Sequence, residues 1–561
     1  MTHANVVYDV IILGSGLGGS ALAAVLARQG RRVLVLERAE HPRFAIGEST
    51  TPSATIPFKI IGERFDVPEI AALGDFYSAT QTFGSTHGLK HAFSFLRHEE
   101  GQPQDPDKSN QLPTIAALGS DLHLYRQDVD ARMLYAALAH GAEVRQKVGA
   151  CQVAIDDRMA EVTTASAGSH RAKFLVDATG QHSPLAERLG LRPQPCPYQT
   201  QSRSMFTHML GVRPFDEISH YRSHGFRYPM HQSTLHHLFD GGWFWIIPFD
   251  NHAASTNPLC SVGLTLDCRV HPKPHDVSAA DEFAAFVARY PSIAQQLHGA
   301  RAVRDWVSSG RMQYASTRSS GANWALLPQS AGFIDPLFSA GLPQTAAAVF
   351  YLGLRLGSGE PIDDGYDAML RSSFEVADLL VSTSYDALRR SHAVWNAWYR
   401  VWVVGSVVGP YLQIVALSRY YRTRDKRELD AARRTETSSL LGFGIPALRD
   451  VLDTCAAFVR DTSLDDEEVA SRILARLAEV DFLVRAIGFA DPARRGLAPY
   501  TLWLVAWIAL RQRQLLTPVL PVDVGTMSMA GLCSHQAAGL FRRSARNIAD
   551  AIAPFRSLIS A

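Results

Sequence analysis

Three glycines near the start of the chain, Gly14, Gly16 and Gly19, have the spacing that a dinucleotide pyrophosphate requires. The first permits a sharp turn, the second lets the backbone approach the phosphates, and the third lets a helix pack closely on a strand. Free N–H groups at the start of the following helix then face the anion. Glu37 lies 37 − 14 = 23 residues after the first glycine, where a carboxylate accepts hydrogen bonds from an adenosine ribose. The spacing predicts a dinucleotide site without separating FAD from NAD.

The segments around these glycines have the order strand, turn, helix and second strand. Residues 8–13 are apolar and predict a buried strand, residues 20–29 predict an alanine-rich helix that ends at Gly30, and residues 32–36 predict the next strand. A glycine-rich surface loop is the alternative explanation of the glycines alone. The order of the elements favours a dinucleotide-binding domain.

The composition limits the class of protein. A chain of 561 residues is too long for one compact core and predicts two or three lobes. The net charge is 55 − 54 = +1, which gives no reason to expect nucleic acid as a partner. The six cysteines have no CxxC or zinc spacing, so we expect no metal site and a reduced, cytoplasmic protein. The early first strand leaves no room for a signal peptide.

An apolar stretch at residues 401–417, close to Trp395, Trp398 and Trp402, raises the question of a membrane span. It has only seventeen residues and contains Gly409-Pro410, whereas a bilayer crossing needs roughly 20 apolar residues. We therefore expect a buried helix or an apolar substrate wall, and no stable membrane insertion.

Lys90 lies near the start of a predicted strand over residues 88–97, in which Phe93 and Phe95 alternate onto one face. Residues 73–87 before it predict irregular structure, and the polar, Pro-rich residues 99–111 after it predict a loop. Taken alone, a lysine at the end of a strand is most simply a solvated charge.

Residues 201–310 alternate like strands and predict an antiparallel sheet, laid over the nucleotide domain, where a second substrate would bind. Trp243 and Trp245 stand two residues apart, so both indoles lie on one face of their strand, with Phe244 and Ile246 on the other. From physics alone, core packing is the simpler explanation of this tryptophan pair.

The chain returns to the nucleotide domain near residue 324. Small residues at 339–341 precede a helix predicted over 345–354, whose first N–H groups could hold an anion or a flavin carbonyl. From about residue 361 the pattern is helical, and residues 463–487 predict an amphipathic helix.

Four motifs stand out in the chain as a whole: Gly14-x-Gly16-x-x-Gly19, Gly47-Glu48-Ser49, Trp243-x-Trp245-x-Ile247-Pro248 and Phe333-Ile334-Asp335-Pro336-Leu337-Phe338-Ser339-x-Gly341. The tryptophan motif is the specific one, because the glycine turn and the Asp177-Ala178-Thr179-Gly180 segment are shared with many flavin monooxygenases. With these motifs the chain resembles the flavin-dependent halogenases over about residues 6–360. The helical remainder resembles the C-terminal region of halogenases that act on phenols and aromatic polyketides, the tetracycline type in particular.

The resemblance implies an α/β fold with an FAD-binding Rossmann-type domain, an antiparallel β-sheet substrate domain and an all-helical C-terminal domain. The expected boundaries are 1–200 for the first part of the FAD domain, with 85–115 contributing to the substrate sheet, 201–310 for the substrate sheet, 311–360 for the return segment, and 361–561 for the helical domain.

The resemblance also implies the chemistry of an FADH2-dependent halogenase. Reduced FAD, oxygen and chloride or bromide would give hypohalous acid at the flavin. The acid would pass through a tunnel to a lysine and halogenate an electron-rich aromatic substrate, phenolic or polyketide. No nicotinamide site is evident, so a separate NADH-dependent flavin reductase would supply the reduced flavin.

The residue roles that the resemblance implies fall into three groups. The tryptophan pair would keep substrate away from the flavin. The lysine would make the halogen more electrophilic, either by donating a hydrogen bond to the hypohalous acid or by becoming a haloamine. The assigned residues are Lys90, Glu48, Trp243 and Trp245 for catalysis; Gly14, Gly16, Gly19, Glu37, Gly47, Ser49, Arg126, Asp177, Gln329, Asp335 and Pro336 for cofactor binding; and Ser339, Gly341 and Leu342 for halide binding.

Two positions depart from the family pattern. The family lysine stands five residues before a phenylalanine, which points to Lys90 before Phe95, yet the small residues that usually follow are altered, and Lys59 is a rival. Gln329 follows Pro328 where the family usually has Gly-Asp against the ribityl chain. The general base is undecided among His87, His91, His98 and Glu48.

Two other functions compete with halogenation. A flavin monooxygenase of the same fold would hydroxylate its aromatic substrate without halide, and Lys90 would then have no catalytic role. A flavin-binding or membrane-associated partner protein without turnover would use the aromatic C-terminal helices for docking.

Overall fold

The computed structural model describes residues 6–114, 119–156, 158–219, 226–435, 440–479 and 490–493. Within these ranges the strands are β1 (Val7–Leu13), β2 (Val33–Leu36), β3 (Gly88–Lys90), β4 (Ala92–Arg97), β5 (Ser109–Pro113), β6 (Asp121–His123), β7 (Glu143–Arg145), β8 (Ala150–Ile155), β9 (Ala160–Thr164), β10 (Gly168–Asp177), β11 (Ser202–Leu210), β12 (Ser233–Phe239), β13 (Gly242–Pro248), β14 (Leu259–Asp267), β15 (Arg301–Ala302), β16 (Val307–Ser308), β17 (Ser320–Gly321) and β18 (Trp324–Leu326). The helices are α1 (Leu17–Arg28), α2 (Pro52–Phe65), α3 (Pro68–Ala72), α4 (Phe76–Phe83), α5 (Arg126–Ala139), α6 (Pro184–Arg188), α7 (Ala279–Ala288), α8 (Pro291–Gln296), α9 (Pro328–Ala331), α10 (Gly341–Ser358), α11 (Asp364–Arg390), α12 (His392–Val408), α13 (Tyr411–Thr423), α14 (Pro446–Arg460) and α15 (Asp466–Glu479).

The first sheet has the order β17–β18–β10–β1–β2–β7, with β9 also paired to β10 and β8 to β9. Strands β2, β1, β10 and β18 run parallel at its centre. β1, β2, β18 and the second half of β10 consist mostly of apolar residues because both faces of a parallel sheet are covered. The glycine turn follows β1, at the carboxyl edge where ligands bind in open α/β sheets.

The second sheet has the order β15–β11–β14–β13–β12–β4–β5 and is antiparallel except that β12 and β4 run parallel. Its strand β13 places Trp243 and Trp245 in the main core, and Phe244 and Ile246 in a separate apolar cluster with α7 and α8. Helices α11 to α15 follow, so the predicted fold class is confirmed.

Four local predictions differ from the structure. The segment 88–97 is two strands rather than one: β3 pairs with β6 in a small sheet, whereas β4 joins the second sheet. Residues 73–87 contain helix α4, which begins because the Asp75 carboxylate accepts the N–H groups of Tyr77 and Ser78. Helix α10 begins at Gly341, four residues before the predicted start, and β5 occupies the end of a segment expected to be loop.

The apolar stretch in the helical region is interrupted at Gly409-Pro410, between α12 and α13. The run His392–Thr423 is long and apolar enough to cross a membrane by length and composition, but 69% of its most apolar window is buried inside the protein. Helix α15 buries Val469, Ile473 and Leu477, as its period predicts. The predicted continuation of this helix to residue 487 lies outside the described residues.

Candidate active site

The glycine turn between β1 and α1 is held by close backbone contacts. Gly14 has a φ of +95°, and a Cβ placed on it would lie 2.7 Å from the carbonyl oxygen of Ala178. A Cβ on Gly19 would lie 2.2 Å from the carbonyl oxygen of Gly14, so helix and strand meet backbone to backbone. At Gly16 a Cβ would meet only the Arg43 guanidinium, at 3.8 Å, which leaves the turn open to a ligand on that side.

The carboxylate of Glu37 is anchored to this turn. It accepts the N–H and hydroxyl of Ser15, at 2.8 and 2.9 Å, and the N–H of Ala39 at 2.8 Å. Burial raises the pKa of Glu37, but these bonds and the charge of Arg43 outweigh it, so the pKa is lowered and the group is ionised at neutral pH. The Nε of Arg43 is buried without a partner among the described residues. An open turn with an unpaired guanidinium N–H beside it fits the pyrophosphate and ribose of a dinucleotide.

Arg126 holds the loop that carries Glu48 and Ser49. Its guanidinium donates to the carbonyl oxygens of Ile46 and Gly47, at 2.6 and 3.1 Å, while the carboxylate of Asp130 accepts it at 2.7 and 2.9 Å. Gly47 has a φ of +89°, which only glycine adopts readily. In this structure Arg126 therefore shapes the loop, and direct contact with a cofactor stays a prediction.

Asp177 is also committed to its own loop. Its buried carboxylate accepts from Thr179, Ser183 and Ser330, among others. These bonds hold the segment whose Ala178 carbonyl presses on Gly14. Asp177 thus stabilises the segment that packs against the glycine turn.

The predicted halide segment leads into the N-terminus of α10. Ser339 has a φ of +52° and donates its N–H to the carbonyl oxygen of Pro336 at 2.9 Å. The amides of Gly341 and Leu342 donate to no acceptor in the part of the chain that the structure describes. Gln329 donates to the Gly341 carbonyl oxygen at 3.1 Å, which steadies this helix end. Two free amides at a helix start can hold a halide.

Lys90 is fully buried at the end of β3. Its ammonium nitrogen donates to the hydroxyl of Ser49 at 2.8 Å and to the carbonyl oxygen of Thr50 at 2.5 Å, and it lies 3.3 Å from the ring centroid of Phe93. Burial lowers the pKa of Lys90 to about 7, while the nearby Asp121 acts in the opposite direction. A lysine that changes charge near neutral pH, in a closed site, is a candidate acid or nucleophile.

A chain of hydrogen bonds runs from Lys90 to the tryptophan motif. The carbonyl acceptor at its far end fixes which group donates in each bond. Ser49 and Thr234 hydroxyls lie 2.7 Å apart, Thr234 lies 3.0 Å from Nε2 of His123, and Nδ1 of His123 lies 3.0 Å from the carbonyl oxygen of Pro248. A carbonyl only accepts, so Nδ1 donates. Burial lowers the pKa of His123 to about 3, so the ring is neutral and its Nε2 accepts from Thr234. Ser49 therefore donates to Thr234 and can only accept from Lys90.

Asp121 faces Lys90 across the pair β3–β6. Thr55 donates to one carboxylate oxygen at 3.0 Å, and the other has no partner among the described residues. Burial raises the pKa of Asp121 to about 6, against the opposing effect of Lys90. Sequence reasoning missed Asp121, His123 and Thr234; the only signal was the alternating Asp-Leu-His segment just before Tyr125-Arg126.

Both indole N–H groups of the tryptophan pair donate a hydrogen bond. The indole N–H of Trp243 donates to the Tyr385 hydroxyl at 3.2 Å, and Tyr385 donates to Asp335 at 3.0 Å. Burial raises the pKa of Asp335 to about 6, and its carboxylate also accepts from Ser202 at 2.5 Å. Asp335 therefore braces three segments, and its predicted contact with the cofactor stays a prediction.

Trp245 lies flat over its neighbouring strand. Its N–H donates to the Ser261 hydroxyl at 3.2 Å, and a Cβ on Gly263 would lie 2.1 Å from its ring. The two indole centroids are 5.8 Å apart. The pair thus forms a rigid wall.

Each of the four candidate bases contacts a residue other than Lys90, and the choice of general base stays a prediction. Each has a partner elsewhere: Glu48 with His208, His87 with Tyr125, His98 with His237, and His91 with Tyr228. The rival Lys59 lies on α2, half-exposed. In the described ranges no group of three or more His, Cys, Asp or Glu residues could hold a metal ion.

Comparisons with known proteins show which chains this one is similar to. A family model described as FAD binding domain matches residues 7–261. Tetracycline 7-halogenase of Kitasatospora aureofaciens is 38% identical over 509 residues, covering 89% of this chain and 91% of that protein. Monodechloroaminopyrrolnitrin halogenase PrnC of Pseudomonas fluorescens is 39% identical over 497 residues, covering 86% of each. The solved structure of halogenase PltM in complex with phloroglucinol and FAD has a TM-score of 0.81 at 33% identity and covers 87% of this chain and 99% of that one.

Proposed function

The chain belongs to the flavin-dependent halogenases, and on that premise we propose that it chlorinates or brominates a phenolic or aromatic polyketide substrate through Lys90. The enzyme is an FAD-dependent halogenating oxidoreductase. The observation that carries the proposal is the buried ammonium of Lys90, held by the loop of the second motif and facing an aromatic ring.

FAD in its reduced state supplies, with oxygen and chloride or bromide, the hypohalous acid on which the protein acts. The open side at Gly16 and the carboxylate of Glu37 would hold the cofactor, and the amides of Gly341 and Leu342 would hold the halide. A separate NADH-dependent flavin reductase in the cytoplasm would deliver the reduced flavin.

Two hydrogen-bond acceptors among the described residues hold the Lys90 nitrogen, and its third position, on the side of the Phe93 ring, is the one we assign to the hypohalous acid. Ser49 and Thr50 only accept, so two of its hydrogens are committed in either charge state. The remaining position carries the third hydrogen of the ammonium, which donates to the oxygen of the acid. As the halogen bonds to the ring carbon, the halogen–oxygen bond breaks and that oxygen takes the proton, leaving as water. The ring then gives its proton to the neutral amine of Lys90, which restores the ammonium, so that overall a ring hydrogen is replaced by halogen and one water is formed.

The ammonium form is the one that its surroundings favour. Two acceptors, the face of Phe93 and the nearby Asp121 all stabilise a positive charge. The Ser49 hydroxyl donates its hydrogen bond to Thr234, so it cannot also donate to a neutral amine. Catalysis by hydrogen-bond donation is therefore proposed over a haloamine.

A phenolic substrate is supported by the aromatic surroundings of Lys90 and by the structural relative PltM, which was solved with phloroglucinol. The wall of Trp243 and Trp245 would separate this ring from the flavin, which suppresses direct hydroxylation.

The proposed function is tested by mass spectrometry of products. The protein is incubated with FAD, a flavin reductase, NADH, bromide and a panel of phenols that includes phloroglucinol. We expect products with the bromine isotope pair, which disappear when bromide is omitted. A gain of one oxygen that does not depend on halide would instead identify a hydroxylase, and no oxygen consumption would identify a protein without turnover.

The hydrogen-bond chain behind Lys90 gives a second test. Thr234→Val keeps the shape of the side chain but removes the hydroxyl, so Ser49 is free to turn its proton towards Lys90. We expect kcat to fall about tenfold, with KM little changed, because a charged hydrogen-bond network loses one link. Thr234→Ser restores the link and should restore kcat. The kcat of each variant is measured with phloroglucinol and bromide. If the valine and serine variants have equal kcat values, the hydrogen-bond chain behind Lys90 has no role in catalysis.

A further inference from the structure

An aromatic layer lies between the second sheet and α12. We define it by five buried residues: Phe93, Phe95, Trp395, Tyr399 and Trp402. The ring of Trp402 lies 5.4 Å from Phe93 and 5.9 Å from Phe95, while Trp395 lies 5.6 Å from Phe95. Phe93 also faces the Lys90 ammonium, so the layer begins at the candidate catalytic group.

Two indole N–H groups in this layer are unpaired. Those of Trp395 and Trp402 are buried and have no hydrogen-bond partner among the described residues. By contrast, the N–H of Trp398, on the same helix, donates to Ser384 at 3.0 Å. A buried donor without an acceptor is unfavourable and rare in native proteins, and therefore calls for an explanation.

The layer also contains an unpaired acceptor. Asn110 lies opposite Phe95 across the strand pair β4–β5, and its amide nitrogen donates to Asn396 at 2.9 Å. Its side-chain carbonyl oxygen is buried without a donor in the part of the chain that the structure describes. A hydroxyl group is both donor and acceptor and could satisfy this oxygen and an indole N–H together.

We propose that the aromatic layer is the substrate site and that it takes an extended phenol of two or more rings with an oxygen at each end. This inference rests on the proposed function. Trp402, beside Phe93, donates to the hydroxyl of the ring that is halogenated. Trp395 stands seven residues earlier on α12, about 10 Å along the helix axis, which is beyond the reach of a one-ring phenol bound at Trp402. Trp395 and Asn110 therefore bind a distal hydroxyl.

Trp402 also contacts the motif of residues 333–341. Its ring stacks on Phe338 at 4.7 Å and an interplanar angle of 19°. Phe338 belongs to the motif that leads to Gly341, so the substrate wall and the predicted halide segment share a contact. Flat aromatic walls suit stacking and edge contacts with a planar ligand.

The test compares two phenols that differ only in the distal hydroxyl, para-phenylphenol and para,para′-biphenol. Bromination kinetics are measured with the holoenzyme, flavin reductase, NADH and bromide, and Kd is measured for each phenol with the oxidised holoenzyme. Trp402→Phe should raise KM and Kd about five- to tenfold for both phenols. Trp395→Phe should do so for para,para′-biphenol only.

Trp398→Phe is the matched control. It removes the same volume from the same helix together with a hydrogen bond that the folded protein makes, so we expect a lower Tm and an unchanged KM for both phenols. If Trp395→Phe and Trp402→Phe leave KM and Kd unchanged, or if Trp395→Phe affects both phenols equally, the inference is overturned. If the wild type binds both phenols with the expected dependence on the tryptophans but brominates neither, the proposed function fails and the site stands.

Discussion

Replacing Lys90 with alanine is expected to abolish halogenation while the oxidation of reduced FAD continues. Two fixed acceptors hold the ammonium in a closed, aromatic environment, and its third position is the one assigned to the hypohalous acid. Loss of a positioned proton donor lowers kcat by about a thousandfold. Oxygen consumption depends on the flavin and should persist, so hypohalous acid would be released without a substrate product. Product formation is measured by mass spectrometry and oxygen uptake with an electrode.

Two further variants separate this effect from unfolding and from a general loss of charge. Lys90→Met fills the buried volume without an ammonium and should match the alanine variant in activity. Lys59→Ala removes the rival lysine on α2 and should keep wild-type activity. Bromination by Lys90→Met within a few-fold of the wild type would contradict the proposed role.

Asp121→Asn is expected to move the pH dependence of halogenation to lower pH. Burial lowers the pKa of Lys90 to about 7, and the charge of Asp121 opposes that effect. Below this pKa the lysine is an ammonium, so the wild-type kcat should decline as the pH rises through about 7. Without the carboxylate the pKa falls further, so at pH 8 the variant should be about tenfold slower than the wild type, and the difference should narrow towards pH 6.

The comparison is made between two proteins under identical conditions. Hypohalous acid and the phenol ionise in the same way in both series, so the displacement of the curve belongs to the enzyme. Because the two buried groups titrate as a pair, the displacement and not either absolute midpoint is the result to read. An Asp121→Asn variant that is faster than the wild type near pH 6 would favour the neutral amine and a haloamine instead.

The fold class and the phosphate turn could be predicted from the sequence because their signals are local. Gly19 is required by a backbone contact within one strand–turn–helix unit, and Gly14 by the positive φ of the same turn. The side chains of β13 alternate between two apolar clusters, as the period of a strand predicts. The sequence pattern does not predict α4, because a single N-cap residue, Asp75, determines where that helix begins. The single strand predicted around Lys90 is wrong, because its two halves pair with different sheets.

The surroundings of Lys90 could not be predicted, because they are assembled from distant segments. Ser49 and Thr234 are 185 residues apart in the chain, and Asp121 meets Lys90 only through the register of two short strands. Motif position also leaves the hydrogen-bond partners of a side chain open. Asp177 and Asp335 stand where cofactor ligands are expected, yet their carboxylates are occupied by their own loops and by neighbouring elements.

Tyr385 connects the helical region to the part of the chain that carries the family motifs. This one phenol, on α11 of the helical region, accepts from Trp243 of the second sheet and donates to Asp335 of the return segment. Phenylalanine in its place would leave the buried indole N–H of Trp243 and one oxygen of the buried Asp335 carboxylate without this hydrogen-bond partner. Chimaeras that exchange the C-terminal helices between relatives must therefore transfer or preserve this hydroxyl, since the part of the chain that carries the family motifs is completed by a residue outside them.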